Sequence, residues 1–258
     1  MNRAIGLAPL TALELPHVEL VSVAAEAGYD CVGLRLVRVA GQPYSHSRDA
    51  GAIERRLQDT GMRVLDIEGF RLEAATDVTA FEPALAAAQR LGASEILVHG
   101  ADANAGRLVD TFAKLCELAS RHKLNANLEP MPWVDVSNAA TARRILDAAG
   151  KDNSALLVDA IHFFRAGDRF EDLSGGRLRY AQLCDAPAER PADMQEIIRQ
   201  ARSDRMFPGE GGLDLKGLLA TLPADLPLSL EIPVARKLPP PERARLALFA
   251  TKKLLAGL

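Results

Sequence analysis

Short apolar runs alternate with helix-like segments along almost the whole chain, and this alternation limits the possible folds more than any other feature. Most of the runs are continuously apolar, as parallel strands covered on both faces are. The segments between them carry apolar residues at three- and four-residue spacing, which is typical of amphipathic helices. Glycines such as Gly28 and Gly150 follow several helices, where a left-handed residue commonly ends a helix. The pattern is that of a repeated βα unit.

The predicted strands and helices account for most of the sequence. The strands are Ala4–Ala8, Cys31–Leu36, Arg63–Gly69, Glu95–Gly100, Asn125–Pro130, Ala155–Asp159, Tyr180–Asp185 and Leu228–Ile232. The helices are Leu13–Ala27, Ala52–Thr60, Thr79–Leu91, Ala105–His122, Ala139–Ala149, roughly Ala192–Ala201 and a last one that begins after Pro239. This order of elements in 258 residues predicts a single α/β domain over residues 1–258, a (β/α)8 TIM barrel.

One segment, residues 186–212, is too long for an ordinary connection between a strand and a helix, which takes about two to six residues. A long loop after the seventh strand of a barrel lies on the face that carries the active site, so we expect a lid or substrate loop. A tolerated surface insertion is the alternative. Arg205 in this segment is predicted to bind a substrate carboxylate or phosphate, because its planar guanidinium suits such groups.

The composition excludes several classes of function. The formal net charge of −3 offers no bulk attraction for nucleic acid, and no run approaches the roughly 20 apolar residues that a membrane span needs. Three cysteines without paired spacing indicate free thiols in a reducing compartment, and the first residues lack the pattern of a signal peptide. We therefore expect a cytoplasmic protein with a small-molecule substrate and neither nucleic-acid nor membrane partners. Homodimer and homotetramer both stay open.

Side chains with oxygen donors stand at the ends of four successive predicted strands, at Glu129, Asp159, Gln182 and Glu231. The carboxyl ends of all strands meet on one face of a parallel barrel, so these residues are expected to converge. Three carboxylates and an amide oxygen suit a hard divalent cation, Mn²⁺ or Mg²⁺. The alternatives are that polar residues simply resume where strands end, and that Gln182 hydrogen-bonds a barrel neighbour.

Further polar residues lie near the same rim. His162, in DAIH, is predicted either to bind the metal or to donate a proton to a substrate oxygen. His99, Glu68 and Arg35 end earlier strands and are predicted to line the substrate pocket. Trp133 is predicted to stack on the substrate or to exclude water. For the histidines and the tryptophan, ordinary structural roles are the alternative.

Several motifs in the second half resemble those of the xylose isomerase-like TIM barrel superfamily. They are LEP at Leu128–Pro130, VDAIH at Val158–His162, QLCDAP at Gln182–Pro187, PGEGGLDL at Pro208–Leu215 and LEIP at Leu230–Pro233. That superfamily contains sugar and sugar-phosphate isomerases and epimerases, hydroxypyruvate isomerase, inosose and dehydroshikimate dehydratases, and an abasic-site endonuclease. Over the rest of the chain the resemblance consists of the strand and helix pattern.

The resemblance implies metal ligands at Glu129, Asp159, Gln182 and Glu231. Epimerase members usually have histidine at the seventh-strand ligand, whereas hydroxypyruvate isomerase-like and dehydratase members can have glutamine within an H-x-Q-x-x-D pattern. Tyr180 replaces the leading histidine here, which alters the expected substrate contacts but not the metal ligands. Endonuclease members need extra histidine ligands to hold three metal ions. The seventh strand and the SDRM segment at Ser203–Met206 lack these histidines, which disfavours an endonuclease.

The predicted function is a metal-dependent isomerase or epimerase of a small sugar or hydroxy-carbonyl compound. The ion would chelate the carbonyl and the adjacent hydroxyl and stabilise an enediolate. Glu129 or Glu231 would remove the proton and the other would return it, and His162 would protonate or hydrogen-bond the oxygen. A dehydratase of the dehydroshikimate or inosose type, with His162 as the acid, is the first alternative. A sugar-binding barrel without catalytic activity is the second.

Overall fold

A computed structural model describes residues 3–37 and 50–257 of the chain. Eight parallel strands pair in sequence order, and β8 returns to β1 to close a barrel. The strands are β1 Ile5–Leu7, β2 Cys31–Arg35, β3 Arg63–Glu73, β4 Glu95–Ala101, β5 Asn125–Glu129, β6 Ser154–Asp159, β7 Leu178–Leu183 and β8 Leu228–Leu230. The prediction of a (β/α)8 TIM barrel is confirmed.

Helices alternate with the strands and cover the outside of the barrel. They are α1 His17–Ala27, α2 Ala50–Thr60, α3 Glu82–Arg90, α4 Ala105–Arg121, α5 Ala139–Ala149, α6 Ala160–Ala166, α7 Met194–Ser203, α8 Leu215–Thr221 and α9 Pro240–Leu255. Short 3-10 turns occur at Pro9–Ala12, Val78–Phe81 and Phe170–Leu173. Within the described ranges, none of the helices combines the length and the apolar character that crossing a membrane requires.

The largest difference from the predicted elements is in β3, which continues to Glu73 instead of ending at Gly69. Gly69 has a φ of 108°, and the pairing of β3 with β4 shifts register between Ile67 and Phe70. A glycine with positive φ inside a strand marks a β-bulge, which bends the strand without ending it. The extension carries Arg71 to the rim of the barrel.

Helix boundaries differ where local residues decide them. The predicted helix from Leu13 begins only at His17, because Pro16 directly precedes it in an extended conformation. The predicted helix from Thr79 begins only at Glu82. A 3-10 turn precedes it, and the Asp77 side chain caps that turn by accepting a hydrogen bond from the Thr79 backbone N–H. The short helices α6 and α8 were not predicted.

Two apolar clusters form the core. The larger one lies between the barrel and the helices, and the smaller one consists of Cys31, Leu65, Leu97, Leu157 and Tyr180. Tyr180, which replaces the histidine of the family pattern, is fully buried and donates a hydrogen bond from its hydroxyl to Asp66 Oδ2 at 3.1 Å. It therefore contributes to the core rather than to the pocket.

Asp66 should make stability depend on pH. Burial, and then the neighbouring Glu68 carboxylate, raises the pKa of Asp66 well above its usual value. Above about pH 4 the unfolded chain releases a proton that the folded protein keeps, so stability falls as the pH rises toward the folded pKa. Asp66→Asn keeps an acceptor for Tyr180 and removes the titration. We expect urea unfolding between about pH 5 and pH 8 to show a smaller loss of free energy in the variant. Equal pH dependence in both proteins would contradict this.

Candidate active site at the carboxyl end of the barrel

The registers of the parallel strands set three pairs of predicted site residues side by side. The pairs are Arg35 with Glu68, His99 with Glu129, and Asp159 with Gln182. Each pair stands at or near the carboxyl ends of two neighbouring strands, and Glu231 directly follows β8. The closed barrel brings these ends together on one face, as the sequence predicts.

A pocket of about 590 Å³, including its open mouth, lies on this face. All five residues predicted to bind substrate line it, namely Arg35, Glu68, His99, Trp133 and Arg205. Glu129, Glu231 and His162, the predicted catalytic residues, line it as well. Asp159 and Gln182 lie beneath and are almost completely buried. The roles of all these residues stay predictions, but their placement in one pocket suits them.

Two histidines surround the Glu129 carboxylate. His99 Nε2 lies 2.7 Å from Glu129 Oε2, and His162 Nε2 lies 3.8 Å from Glu129 Oε1. Burial lowers the pKa of His99 to about 3 and that of His162 to about 4, so both rings are neutral at pH 7. A neutral His99 donates its Nε2–H to Glu129 and orients the carboxylate. Trp133 supports His162 from the other side, with the rings edge to face and their centroids 5.0 Å apart.

Asp159 ends β6 and begins α6 at the same time. Its Oδ1 accepts a hydrogen bond from the His162 backbone N–H at 3.2 Å, which makes Asp159 the N-cap of the helix. The spacing in DAIH therefore has a structural cause, because the capped turn carries His162 back over the strand end. The second carboxylate oxygen, Oδ2, remains free for another partner.

That partner is Arg205, which is 3% exposed. Its Nη1 lies 2.6 Å from Asp159 Oδ2, its Nη2 lies 2.8 Å from Glu231 Oε2, and its Nε donates to the Ala201 carbonyl at 2.7 Å. Burial alone would lower the pKa of Arg205, but the two carboxylates raise it well above its usual value. The arginine predicted to bind substrate thus holds two predicted metal ligands, and its contact with substrate stays a prediction.

The donors beneath the pocket fit a divalent metal ion. Glu129, Asp159 and His162 each offer a ligand atom within 4.8 Å of the others. One terminal atom of the Gln182 amide lies 2.9 Å from Glu129 Oε1 and 3.3 Å from Asp159 Oδ2. If this atom is the oxygen, it meets only acceptors and needs a cation between them. If it is the nitrogen, it donates to both carboxylates. We therefore expect the amide to present its oxygen when metal is bound and its nitrogen when metal is absent.

The charges of the site also favour a cation. Four buried carboxylates accompany two buried guanidinium groups; the residues are Glu68, Glu129, Asp159 and Glu231, with Arg35 and Arg205. Burial raises the pKa of both Glu129 and Glu231 well above the usual value, and neighbouring carboxylates raise it further. A divalent ion would balance the excess negative charge, which a buried cluster tolerates poorly.

Asp185 organises the long segment after β7, a role that the sequence analysis did not assign. Its Oδ2 accepts hydrogen bonds from the backbone N–H groups of Gly209 at 2.9 Å and Gly211 at 3.1 Å, and its Oδ1 accepts one from Leu213 at 3.1 Å. Its own backbone pairs with Met206. These bonds fix the return of the segment and thereby the position of Arg205. Whether residues 186–212 act as a lid stays a prediction.

Asp185→Ala should loosen this segment locally. The substitution leaves four backbone N–H groups without their acceptor, those of Ala186, Gly209, Gly211 and Leu213, so we expect a loss of about 1–3 kcal/mol in the free energy of unfolding. Amide hydrogen exchange at Gly209, Gly211 and Leu213 should accelerate. Asp214→Ala, which removes the cap of α8, serves as the control and should affect α8 alone. Unchanged exchange at the three amides would rule out this role of Asp185.

Comparison with known proteins places the chain in a family. Residues 21–254 match the sequence model of the family described as Xylose isomerase-like TIM barrel. The 3-dehydroshikimate dehydratase of Pseudomonas aeruginosa is 29% identical over 251 residues, which cover 90% of this chain and 38% of that protein. The inosose isomerase of Bacillus velezensis is 28% identical over 117 residues, which cover 44% of this chain and 40% of that protein. The chain therefore spans less than half the length of either relative in these matches.

A solved structure agrees with this assignment. The IOLI protein with a bound zinc atom superposes on the chain with a TM-score of 0.81 at 18% identity, covering 98% of both chains. A likeness at this identity shows the fold and leaves the function open. Because the family match covers most of the sequence, the chain belongs to the xylose isomerase-like TIM barrel family.

Proposed function

We propose that this chain is a metal-dependent enzyme that removes a proton from the carbon next to the carbonyl group of a small hydroxy-carbonyl compound. The observation that carries the proposal is the convergence of oxygen donors beneath a pocket whose wall contains Glu129, Glu231 and His162. Dehydration and isomerisation of such compounds both begin with removal of this proton. The sequence relatives are named for these two types of reaction.

Glu129, Asp159 and Gln182 would hold the ion, with His162 as a further donor within reach. Glu231, which shares Arg205 with Asp159, would complete the predicted ligand set. A bound divalent ion supplies Lewis-acid polarisation of a substrate oxygen. The oxygen-rich donor set favours Mn²⁺ or Mg²⁺, while the zinc in the IOLI structure makes Zn²⁺ a necessary comparison. Arg205 keeps Asp159 and Glu231 oriented through its two ion pairs.

Glu129 is the proposed base. Its carboxylate lines the pocket, and His99 fixes its direction through the 2.7 Å hydrogen bond. Burial, and then the Asp159 charge, raises the pKa of Glu129, which makes the ionised group a stronger base than a solvated glutamate. The neutral His162 ring, 3.8 Å from the same carboxylate, is the proposed donor to the substrate oxygen.

Dehydration is the overall reaction that we propose first. The dehydratase relative matches 90% of this chain, whereas the isomerase relative matches 44%. Isomerisation or epimerisation is the second candidate, because the site contains a second carboxylate that could act on the substrate. Glu231 follows β8, which lies three strands around the closed barrel from β5, the strand that ends at Glu129. A second carboxylate at that distance around the site suits the return of a proton from another direction.

Turnover in D2O separates these reactions. The protein loaded with Mn²⁺, Mg²⁺ or Zn²⁺ is incubated with 3-dehydroshikimate and, separately, with an inosose. Dehydration predicts a product that has lost one water by mass and whose more extended conjugation gives an ultraviolet absorbance different from that of the substrate. Isomerisation predicts deuterium at the carbon next to the carbonyl without that absorbance. Neither product formation nor deuterium incorporation with either compound, in protein shown to carry the ion, would contradict the proposed function.

A further inference from the structure

The arginines that line the pocket fall into two groups. Arg35 and Arg205 are buried and form ion pairs of 2.7 Å and 2.6 Å with Glu68 and Asp159. Arg71 and Arg202 line the same pocket but are far more accessible to solvent, since the Arg71 side chain is 40% exposed and Arg202 is exposed as well. The second group therefore stands at the mouth of the pocket, where an entering substrate meets it.

Arg202 lies in the last turn of α7, in the same segment as Arg205. Its guanidinium carbon lies 6.0 Å from the centroid of the Trp133 ring, which also lines the pocket. Within the part of the chain that the structure describes, its guanidinium forms no ion pair. A guanidinium beside an aromatic ring with its N–H groups unpaired is suited to bind a planar anion.

Arg71 reaches the mouth because β3 continues beyond the bulge at Gly69. Its Nε bonds to Glu73 Oε1 at 2.7 Å, and the Glu73 side chain is 61% exposed. An exposed pair of this kind is weak and screened by salt, so it competes poorly with a bound anion. The terminal amino groups of Arg71 make no hydrogen bond to any of the described residues.

The charge of the whole site points the same way. The lining residues include four arginines and three carboxylates, and the buried Asp159 below adds a fourth carboxylate. A divalent ion would balance the four buried carboxylates together with Arg35 and Arg205. The charges of Arg71 and Arg202, offset only in part by Glu73, then remain at the mouth as an excess of positive charge that an anionic substrate would balance. A neutral sugar would leave the excess unbalanced.

We propose that the substrate carries a carboxylate, which Arg71 and Arg202 bind at the mouth of the pocket while the reacting carbon lies toward Glu129. Two guanidinium groups bind a carboxylate through short, charge-assisted hydrogen bonds. The inference rests on the proposed function, because it names the class of substrate for the same site. It selects a cyclic hydroxy acid over a neutral keto sugar.

Binding of three unreactive probes tests the proposal. Shikimate carries the carboxylate and the ring hydroxyls but no ketone, its methyl ester lacks the charge, and myo-inositol is neutral. Calorimetry on the metal-loaded protein should show shikimate binding about tenfold or more tightly than the ester or the inositol. Arg71→Gln and Arg202→Gln should each weaken shikimate binding about tenfold and leave ester binding unchanged. Arg245→Gln, on α9 away from the pocket, is the matched control and should bind like the wild type.

Equal binding of shikimate and its ester by the wild-type protein, including no detectable binding of either, would overturn the proposal. A preference for the acid that survives in both variants would assign the carboxylate to the metal instead, and would overturn it too. Because these probes do not react, the two proposals fail separately. If the arginines make the protein bind shikimate more tightly than its ester but no proton exchange occurs with the substrates, only the proposed function is contradicted. If proton exchange occurs but shikimate and its ester bind equally, only the carboxylate site is contradicted.

Discussion

Glu129→Gln is expected to lower kcat by about 10²- to 10⁴-fold, because glutamine keeps the size of the side chain but cannot take up a proton. Glutamine still accepts the hydrogen bond from His99 Nε2, so the ring and the fold should remain in place. Turnover of 3-dehydroshikimate at saturating Mn²⁺ measures the effect. Bound Mn²⁺ is determined on the same sample, since Glu129 is also a predicted ligand.

A buried glutamate outside the pocket provides the control. Glu95 begins β4, at the opposite end of that strand from His99, and accepts a hydrogen bond from Asn127 Nδ2 at 2.9 Å. Glu95→Gln should change stability while leaving kcat close to that of the wild type. If Glu129→Gln loaded with metal turned over as fast as Glu95→Gln, Glu129 would not be the base.

The second large effect concerns stability. Arg205→Met should lower the free energy of unfolding of the metal-free protein by about 3–5 kcal/mol, because Asp159 and Glu231 lose their buried opposite charge. Divalent metal should restore part of this loss, since the ion supplies positive charge to the same carboxylates and binds only the folded state. Urea unfolding in chelator and in excess Mn²⁺ measures both effects.

Arg199→Met separates this charge effect from the loss of an arginine as such. Arg199 lies on α7, six residues before Arg205, and forms ion pairs with Glu196 and Asp204 on the surface. Exposed pairs contribute little, so its removal should barely move the unfolding midpoint. If Arg205→Met unfolded like Arg199→Met in chelator, the guanidinium would not be the buried counter-charge of the site.

The barrel was predictable because two periodicities alternate along the chain. Continuous apolar runs such as β6 are typical of strands covered on both faces, and α5 begins after Asn138 and ends at Gly150 as its sequence predicts. Predicted strand ends differ from the structure where one residue type is compatible with two local conformations. The predicted third strand ends at Gly69, whereas in the structure the positive φ of Gly69 forms a bulge inside a longer strand.

The candidate site was predictable only in part. Positions at strand ends follow from the topology, which is why Glu129 and Asp159 were expected to meet. The pairing of Asp159 with Arg205, 46 residues later, depends on how the loop after β7 returns, and no periodicity encodes that. Arg71 lies beyond the predicted end of its strand, and Arg202 lies among polar residues near the end of a helix. Neither position marks a site in the sequence, so only the pocket itself identifies these two arginines.

Both proposed reactions depend on one divalent ion held by the oxygen donors beneath the pocket. The most direct measurement is the metal content of the protein by mass spectrometry, after removal of metal by chelator, reloading with Mn²⁺ and dialysis, beside Glu231→Gln. We expect about one ion per chain in the wild type and weaker retention in the variant, because the variant lacks one carboxylate ligand. A wild-type protein that retains no ion after reloading would contradict this metal site, and with it both reactions proposed for this barrel.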